Sequence, residues 1–107
     1  MADSPRLEQI QALLRDDPND PFLLYGLSME YLSLNDTTAA IKSFQDLITR
    51  KPEYVPTYLM LGQTLQRAGR GHEAADVLRL GVKAAKIAGD EHALSEILAL
   101  LAILDDG

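Results

Sequence analysis

The feature that most restricts this chain is an internal repeat. Laid on itself at an offset of 34 residues, Pro18 falls on Pro52, Leu27 on Leu61 and Ala40 on Ala74. Leu24 falls on Tyr58, Ser28 on Gly62, Tyr31 on Leu65, Asn35 on Gly69 and Phe44 on Leu78. Identity is low, but side-chain size is held. A small residue at 28/62 and at 40/74 lets two backbones approach closely, and the large residues at 24/58, 31/65 and 44/78 fill the space around them. A period of about 20–50 residues marks a supersecondary unit that buries its apolar face by stacking on its neighbours.

The unit is helical. Apolar residues recur at helical spacing, as in Leu24, Leu27, Tyr31 and Leu34, and neither strict alternation nor β-branched runs occur. Ser4-Pro5 and Asp20-Pro21 read as an N-cap followed by proline at the first helical position. Breaks fall at Asp16-Asp17-Pro18, Asn35-Asp36, Lys51-Pro52, Gly69-Arg70-Gly71 and Gly89-Asp90. They predict six helices, at 5–16, 21–34, 37–50, 55–68, 72–88 and 90–104. The connections are short, so neighbours should pack as antiparallel hairpins.

Composition excludes several kinds of function. With 107 residues, 47% hydrophobic and 24% charged, the chain has room for one domain with a modest core and needs no metal or disulfide staple. The absence of cysteine rules out a disulfide framework, a cysteine nucleophile, a thiolate metal site and thiol redox chemistry. Sixteen acidic against ten basic residues give a net charge of -6, which repels phosphate backbones and anionic lipid and argues against a nucleic-acid partner. No run approaches the roughly 18 apolar residues of a membrane span. Met1-Ala2-Asp3-Ser4-Pro5 has no signal-peptide character, so the expectation is a cytoplasmic chain without membrane insertion.

The two copies resemble the tetratricopeptide repeat, whose pattern runs large, Leu, small, Tyr, Ala, Phe and Pro at fixed steps. Leu24, Leu27, Ser28, Tyr31, Ala40, Phe44 and Pro52 make a near-complete first repeat, and Tyr58, Leu61, Gly62, Leu65, Gly69, Ala74 and Leu78 a second. The second departs at its end, where Gly81 replaces the usual Ala and Lys86 the terminal Pro, so that helix is expected to run past its normal stop. Residues 5–18 look like a second helix alone, with Ile10 in the Phe slot, Leu13 in the next buried slot and Pro18 closing it. With a shift of two residues, Leu94, Ile97, Leu98 and Leu101 take the slots of Leu24, Leu27, Ser28 and Tyr31. The resemblance implies an all-α fold, an α-solenoid of helical hairpins in a right-handed stack of about six helices. Its parts would be an N-terminal half-repeat at 5–18, repeat one at 21–54, repeat two at 55–88 and a C-terminal capping helix at 90–104, in one domain over 1–107.

Residues that invite catalytic or metal roles are better read as structure. His72 and His92 lie near helix starts, twenty residues apart, with no HExxH-like spacing. Asp16-Asp17 and Asp105-Asp106 are sequence neighbours that point apart at helix ends. Gly69-Arg70-Gly71 is too short for a phosphate loop and follows a helix, not a strand. Arg79, Lys83 and Lys86 form one basic stripe, read as a solvated face or as a contact for an acidic partner. No enzyme activity and no cofactor or metal is expected.

Members of the resembled family bind partners on a concave surface lined by the first helix of each pair. Carried over, the groove positions are Phe22, Tyr25, Met29, Leu32 and Ser33 in repeat one and Pro56, Leu59, Gln63, Gln66 and Arg67 in repeat two. Repeat one offers aromatic and thioether surface, suited to apolar side chains; repeat two offers amides and one guanidinium. A chaperone carboxylate clamp of Lys, Asn and Arg is lacking, since only Arg67 would serve. The implied function is a protein-interaction module for a partner peptide or helix. A purely structural oligomerisation unit is the rival. Ten of the twelve residues from Ala93 to Leu104 are apolar, more than one neighbouring helix can cover. That surplus points to a homodimer through Leu94, Leu98, Leu101 and Leu104, related by twofold symmetry.

Overall fold

The computed structural model describes residues 4–106 and, of Asp106, the backbone alone. Met1–Asp3, on which the signal-peptide reading partly rests, lie outside the described residues, as does the side-chain half of the Asp105-Asp106 reading. The described residues form six α-helices and no strand: α1 (Pro5–Asp16), α2 (Pro21–Ser33), α3 (Thr37–Arg50), α4 (Pro56–Arg67), α5 (Gly71–Ala88) and α6 (Glu91–Asp106). All twelve ends lie within two residues of those expected, in an all-α helical repeat fold.

Local chemistry explains the ends. Ser4 Oγ accepts the Leu7 N–H at 2.9 Å, Asp20 Oδ1 the Phe22 N–H at 2.9 Å, Asp36 Oδ1 the Ala39 N–H at 3.1 Å and Asp90 Oδ1 the Ala93 N–H at 3.0 Å. Such caps are each worth about 1 kcal/mol. Asn35 (φ 59°) and Gly69 (φ 77°), 34 residues apart, both adopt the left-handed conformation. That conformation turns the Asp36 N–H onto Tyr31 O and the Arg70 N–H onto Leu65 O, both at 2.9 Å. The helices α1 and α3 stop alike, at Asp17 (φ -139°) and Lys51 (φ -137°), each before a proline. Lacking that proline, α5 runs on to Ala88, as its Lys86 led one to expect, and ends on left-handed Gly89 (φ 68°).

The chain divides into two compact units, residues 1–51 and 52–107. In the first, α2 packs between α1 and α3. Ser28, Ala40 and Phe44 are fully buried there. Ser28 Oγ donates to Leu24 O at 3.1 Å and shares a hydrogen bond of 2.6 Å with Ser43 Oγ, so the small residue of the motif is also satisfied as a polar one. In the second unit α5 packs on both α4 and α6, burying Leu61, Leu65, Ala74, Leu78 and Ile97. A Cβ added at Gly62 would stand 2.6 Å from Leu78 Cδ2, and one at Gly81 2.6 Å from Tyr58 Cβ and 3.2 Å from Ile97 Cδ1. Gly81 departs from the resembled pattern because Tyr58 and Ile97 fill the place of its methyl group. Tyr58 OH donates to Pro52 O at 2.6 Å, and burial, seconded by the Glu53 charge, raises its pKa, which keeps it a donor.

The burial expected of Leu13 fails. Leu13 is not buried but 54% exposed, and the buried residue of α1 is Leu7. The cause is that α1 has α2 as its main neighbour, and Leu13 borders an open hollow between these two helices that no further helix among the described residues fills.

Close approach thus makes the two kinds of glycine opposite in effect. Gly62→Ala and Gly81→Ala should each cost about 1–3 kcal/mol by overpacking. Gly26→Ala, whose added Cβ would meet only Ile10 Cδ1 at 3.9 Å, should add about 0.5–1 kcal/mol through helix propensity. Urea denaturation midpoints check this; equal shifts for the three variants would contradict the packing. In the same assay Thr57→Val should be neutral or stabilising, since Thr57 Oγ1 is buried without a hydrogen-bond partner among the described residues.

Candidate functional site

Helix α2 is apolar around most of its circumference, the pattern of a helix with neighbours on several sides. Its neighbours α1 and α3 leave one face open, and an apolar groove of about 630 Å³ lies there between α1 and α2. Phe22, Tyr25, Met29 and Ser33 of α2 line it, joined from α1 by Arg6, Gln9, Ile10 and Leu13. Phe22 is 72% exposed. Tyr25 and Met29 are half-buried, and the Tyr25 ring meets Phe44 edge-on, with centroids 6.1 Å apart and planes at 60°. Tyr25 therefore serves the core with one edge and the groove with the other. The expected groove residue Leu32 is half-buried and does not line this hollow.

Glu30, the only charged residue of α2, sits at the groove wall and is nearly buried. Ser4 Oγ donates to its Oε2 at 2.9 Å, and Arg6 Nε lies 3.7 Å from its Oε1. Ser4 thus caps α1 and ties it to α2 at once. The Arg6 side chain is largely exposed, so this pair orients more than it stabilises. The α1 wall was not among the expected groove positions. Its signal is register, since residues 6, 10 and 13 repeat the slots of 40, 44 and 47.

In the second unit the expected groove positions do not gather. Leu59 packs against the cluster around Leu78 and Ile97, Gln63 is half-buried, and Pro56 and Arg67 are exposed at opposite ends of α4. Gln66 instead borders a second hollow of about 840 Å³ with His72, Asp76 and Arg79 of α5 and Leu104 and Asp105 of α6. Arg79 there bridges Asp76 and Asp105, each at 3.3 Å. The other basic residues of its stripe, Lys83 and Lys86, are exposed.

Groups that might have supported catalysis are dispersed. His72 and His92 are exposed, and His92 Nε2 lies 3.2 Å from Glu96 Oε1. Among the described residues no three His, Asp or Glu side chains gather as metal ligands. At Gly69-Arg70-Gly71, Arg70 grips Glu73 with two hydrogen bonds of 2.8 and 2.6 Å, which raise the Arg70 pKa and lower that of Glu73. The segment is an interhelical turn.

Of the apolar residues on α6, Ile97 is buried, and Leu94, Leu101 and Leu104 are half-buried against the cluster of the second unit. Leu98 and Ile103 remain 46% and 62% exposed. No helix among the described residues is long and apolar enough to cross a membrane.

The family model described as "Tetratricopeptide repeat" matches residues 23–54. A TPR repeat-containing protein of Pseudomonas aeruginosa is 27% identical over 99 residues, covering 92% of this chain and 94% of that protein. The crystal structure of a tetratricopeptide repeat domain protein from Salinibacter ruber superposes with a TM-score of 0.77 at 31% identity, over 80% of this chain and 97% of that one. A solution structure of a Bordetella parapertussis protein has the same fold, with a TM-score of 0.80 at 24% identity, over 97% of this chain and 90% of that one.

The different settings of the two groove aromatics carry a prediction. Phe22→Ala should leave the thermal midpoint unchanged, whereas Tyr25→Ala should lower stability by about 1–3 kcal/mol through loss of its contact with Phe44. Equal midpoints would show that the edge-on contact contributes nothing.

Proposed function

Since this chain belongs to the tetratricopeptide repeat family, whose members commonly mediate protein interactions and are typically non-catalytic scaffolds, we propose that it is a protein-interaction module that holds a helix or an extended segment of a partner against the open face of α2. Phe22, Tyr25 and Met29 make the contact. The observation that carries this reading is the groove between α1 and α2, in which these three side chains converge with Ile10 and Leu13. A partner segment bound there presents apolar side chains, because aromatic and thioether groups adapt to such shapes and offer few directional bonds. The amides of Gln63 and Gln66 and the guanidinium of Arg67 on α4, which do not gather into a groove, offer a partner's backbone and carboxylate groups separate polar contacts.

A second reading, self-association through α6, is favoured by the exposure of Leu98 and Ile103. Leaving such side chains in water forgoes about 1.5–3 kcal/mol each.

The full chain used as bait in its native host tests the first reading. Met29→Ala combined with Phe22→Ala should keep native helicity and lose the captured partner, as expected of contact residues outside the core. Adding Tyr25→Ala should deepen the loss, at a cost in stability that the double variant avoids. Undiminished capture by the double variant would move the site away from α2.

A further inference from the structure

Helices α1 and α6 are the two unlike halves of one hairpin. At the offset of 34, Arg6, Ile10 and Leu13 of α1 stand in the slots of Ala40, Phe44 and Leu47 of α3, and those three residues of α3 are fully buried. The corresponding face of α5 lies under its hairpin partner, where Gly62 of α4 meets Leu78 and Tyr58 meets Gly81. On α1 the same face is open, with Ile10 half-buried and Leu13 exposed along the groove.

The shortage on α6 is the converse. Leu94, Leu98 and Leu101 take the slots of Leu24, Ser28 and Tyr31, and Ser28 is where α2 meets Ser43 of α3. On α6 the middle residue of this stripe, Leu98, is exposed, and no helix follows among the described residues. Among the described residues, one helix of the first-of-pair kind stands without a second, and one of the second-of-pair kind without a first.

We infer that α6 of one copy docks into the α1–α2 groove of a second copy, antiparallel to α1. The inference rests on the reading of that groove as a site for a partner helix. In this register Leu94 and Leu98 lie on Leu13 and Ile10, apolar against apolar. The adjoining flank of α6 carries Ser95, Ala99 and Ala102, small and exposed, toward the bulky Phe22, Tyr25 and Met29 of α2. Asp105, which Arg79 holds within its own chain, comes to the N-terminal end of α1, where the positive end of the helix dipole and Arg6, itself beside Glu30, favour a carboxylate. The opposite ends set Glu91 toward Asp16, so apolar burial carries the affinity. Leu98 and Arg6 are larger than the residues in the matching slots of the intrachain hairpins, which makes the intermolecular pair wider and the association weak and reversible. A twofold contact between two α6 helices covers Leu98 but leaves Leu13 and Phe22 in water; the unlike contact covers one face of each kind, and the pair keeps one free groove on one copy and one free α6 on the other, so association continues head to tail.

The test uses two variants of the full chain, each changed at an exposed position so that folding is spared: Leu13→Asp in the groove and Leu98→Asp on α6, with helicity checked by circular dichroism. Sedimentation equilibrium should show the unaltered chain gaining weight-average mass with concentration. Each variant alone should lose association by about tenfold or more. An equimolar mixture should regain a 1:1 complex, because one variant keeps its α6 and the other its groove. If an aspartate variant loses helicity, Leu13→Gln and Leu98→Gln replace the pair. Self-association of the Leu13 variant equal to that of the unaltered chain would overturn the inference in favour of a twofold α6 contact. A mixture that stays monomeric, or an unaltered chain that is monomeric at millimolar concentration, would also overturn it. A monomeric chain whose groove still captures a partner sinks this inference alone. A Leu13 variant that loses neither association nor capture sinks the groove reading with it.

Discussion

The arrangement depends on how closely two antiparallel helices approach. At Gly62 the approach leaves no room for a methyl group against Leu78, and at Gly81 none against Tyr58. In the first unit the corresponding contact admits Ser28, whose hydroxyl bonds to Leu24 O and Ser43 Oγ. Close packing of this kind lets each helix pair gain dispersion energy along its whole length, in place of the thick core that a chain of this size cannot build. The turns obey the same spacing. Asn35 and Gly69 reverse the chain in the left-handed conformation and satisfy the last carbonyls of α2 and α4 while doing so.

A fold made of such pairs has its exposed apolar surface where pairing stops. Along α3 and α5 the slots of Phe44 and Leu78 are fully buried, whereas α1 shows Leu13 and α6 shows Leu98 and Ile103. The α1–α2 groove is a product of this rule, since its apolar lining is the residue pattern of a hairpin face without its cover. Glu30 marks the exception. As the one charge on α2, it is kept by Ser4 and Arg6, which also tie the first turn of α1 to its neighbour.

Helix positions, the turn at residues 35 and 69, and the slots of Ala40, Phe44, Ala74 and Leu78 were legible in the sequence, because each follows from local backbone chemistry or from a period that repeats within the chain. So was the overrun of α5, where Lys86 stands in place of a proline. What lines the groove was less legible. The carried-over positions Phe22, Tyr25 and Met29 do converge, yet Leu32 turns aside, Leu59 joins the core, and the α1 wall of Arg6, Gln9, Ile10 and Leu13 was not foreseen. Periodicity tells which residues share a helix face, but which neighbour covers that face is a property of two elements together. For this reason Leu13, sound as a core residue by its slot, became surface. The sequence by itself determined an all-α chain of repeated hairpins and the close contacts inside each pair. Only tertiary structure decided which apolar faces are covered, because burial is set by the presence of a neighbour, and at α1 and α6 the neighbour that the repeat would provide is not among the described residues.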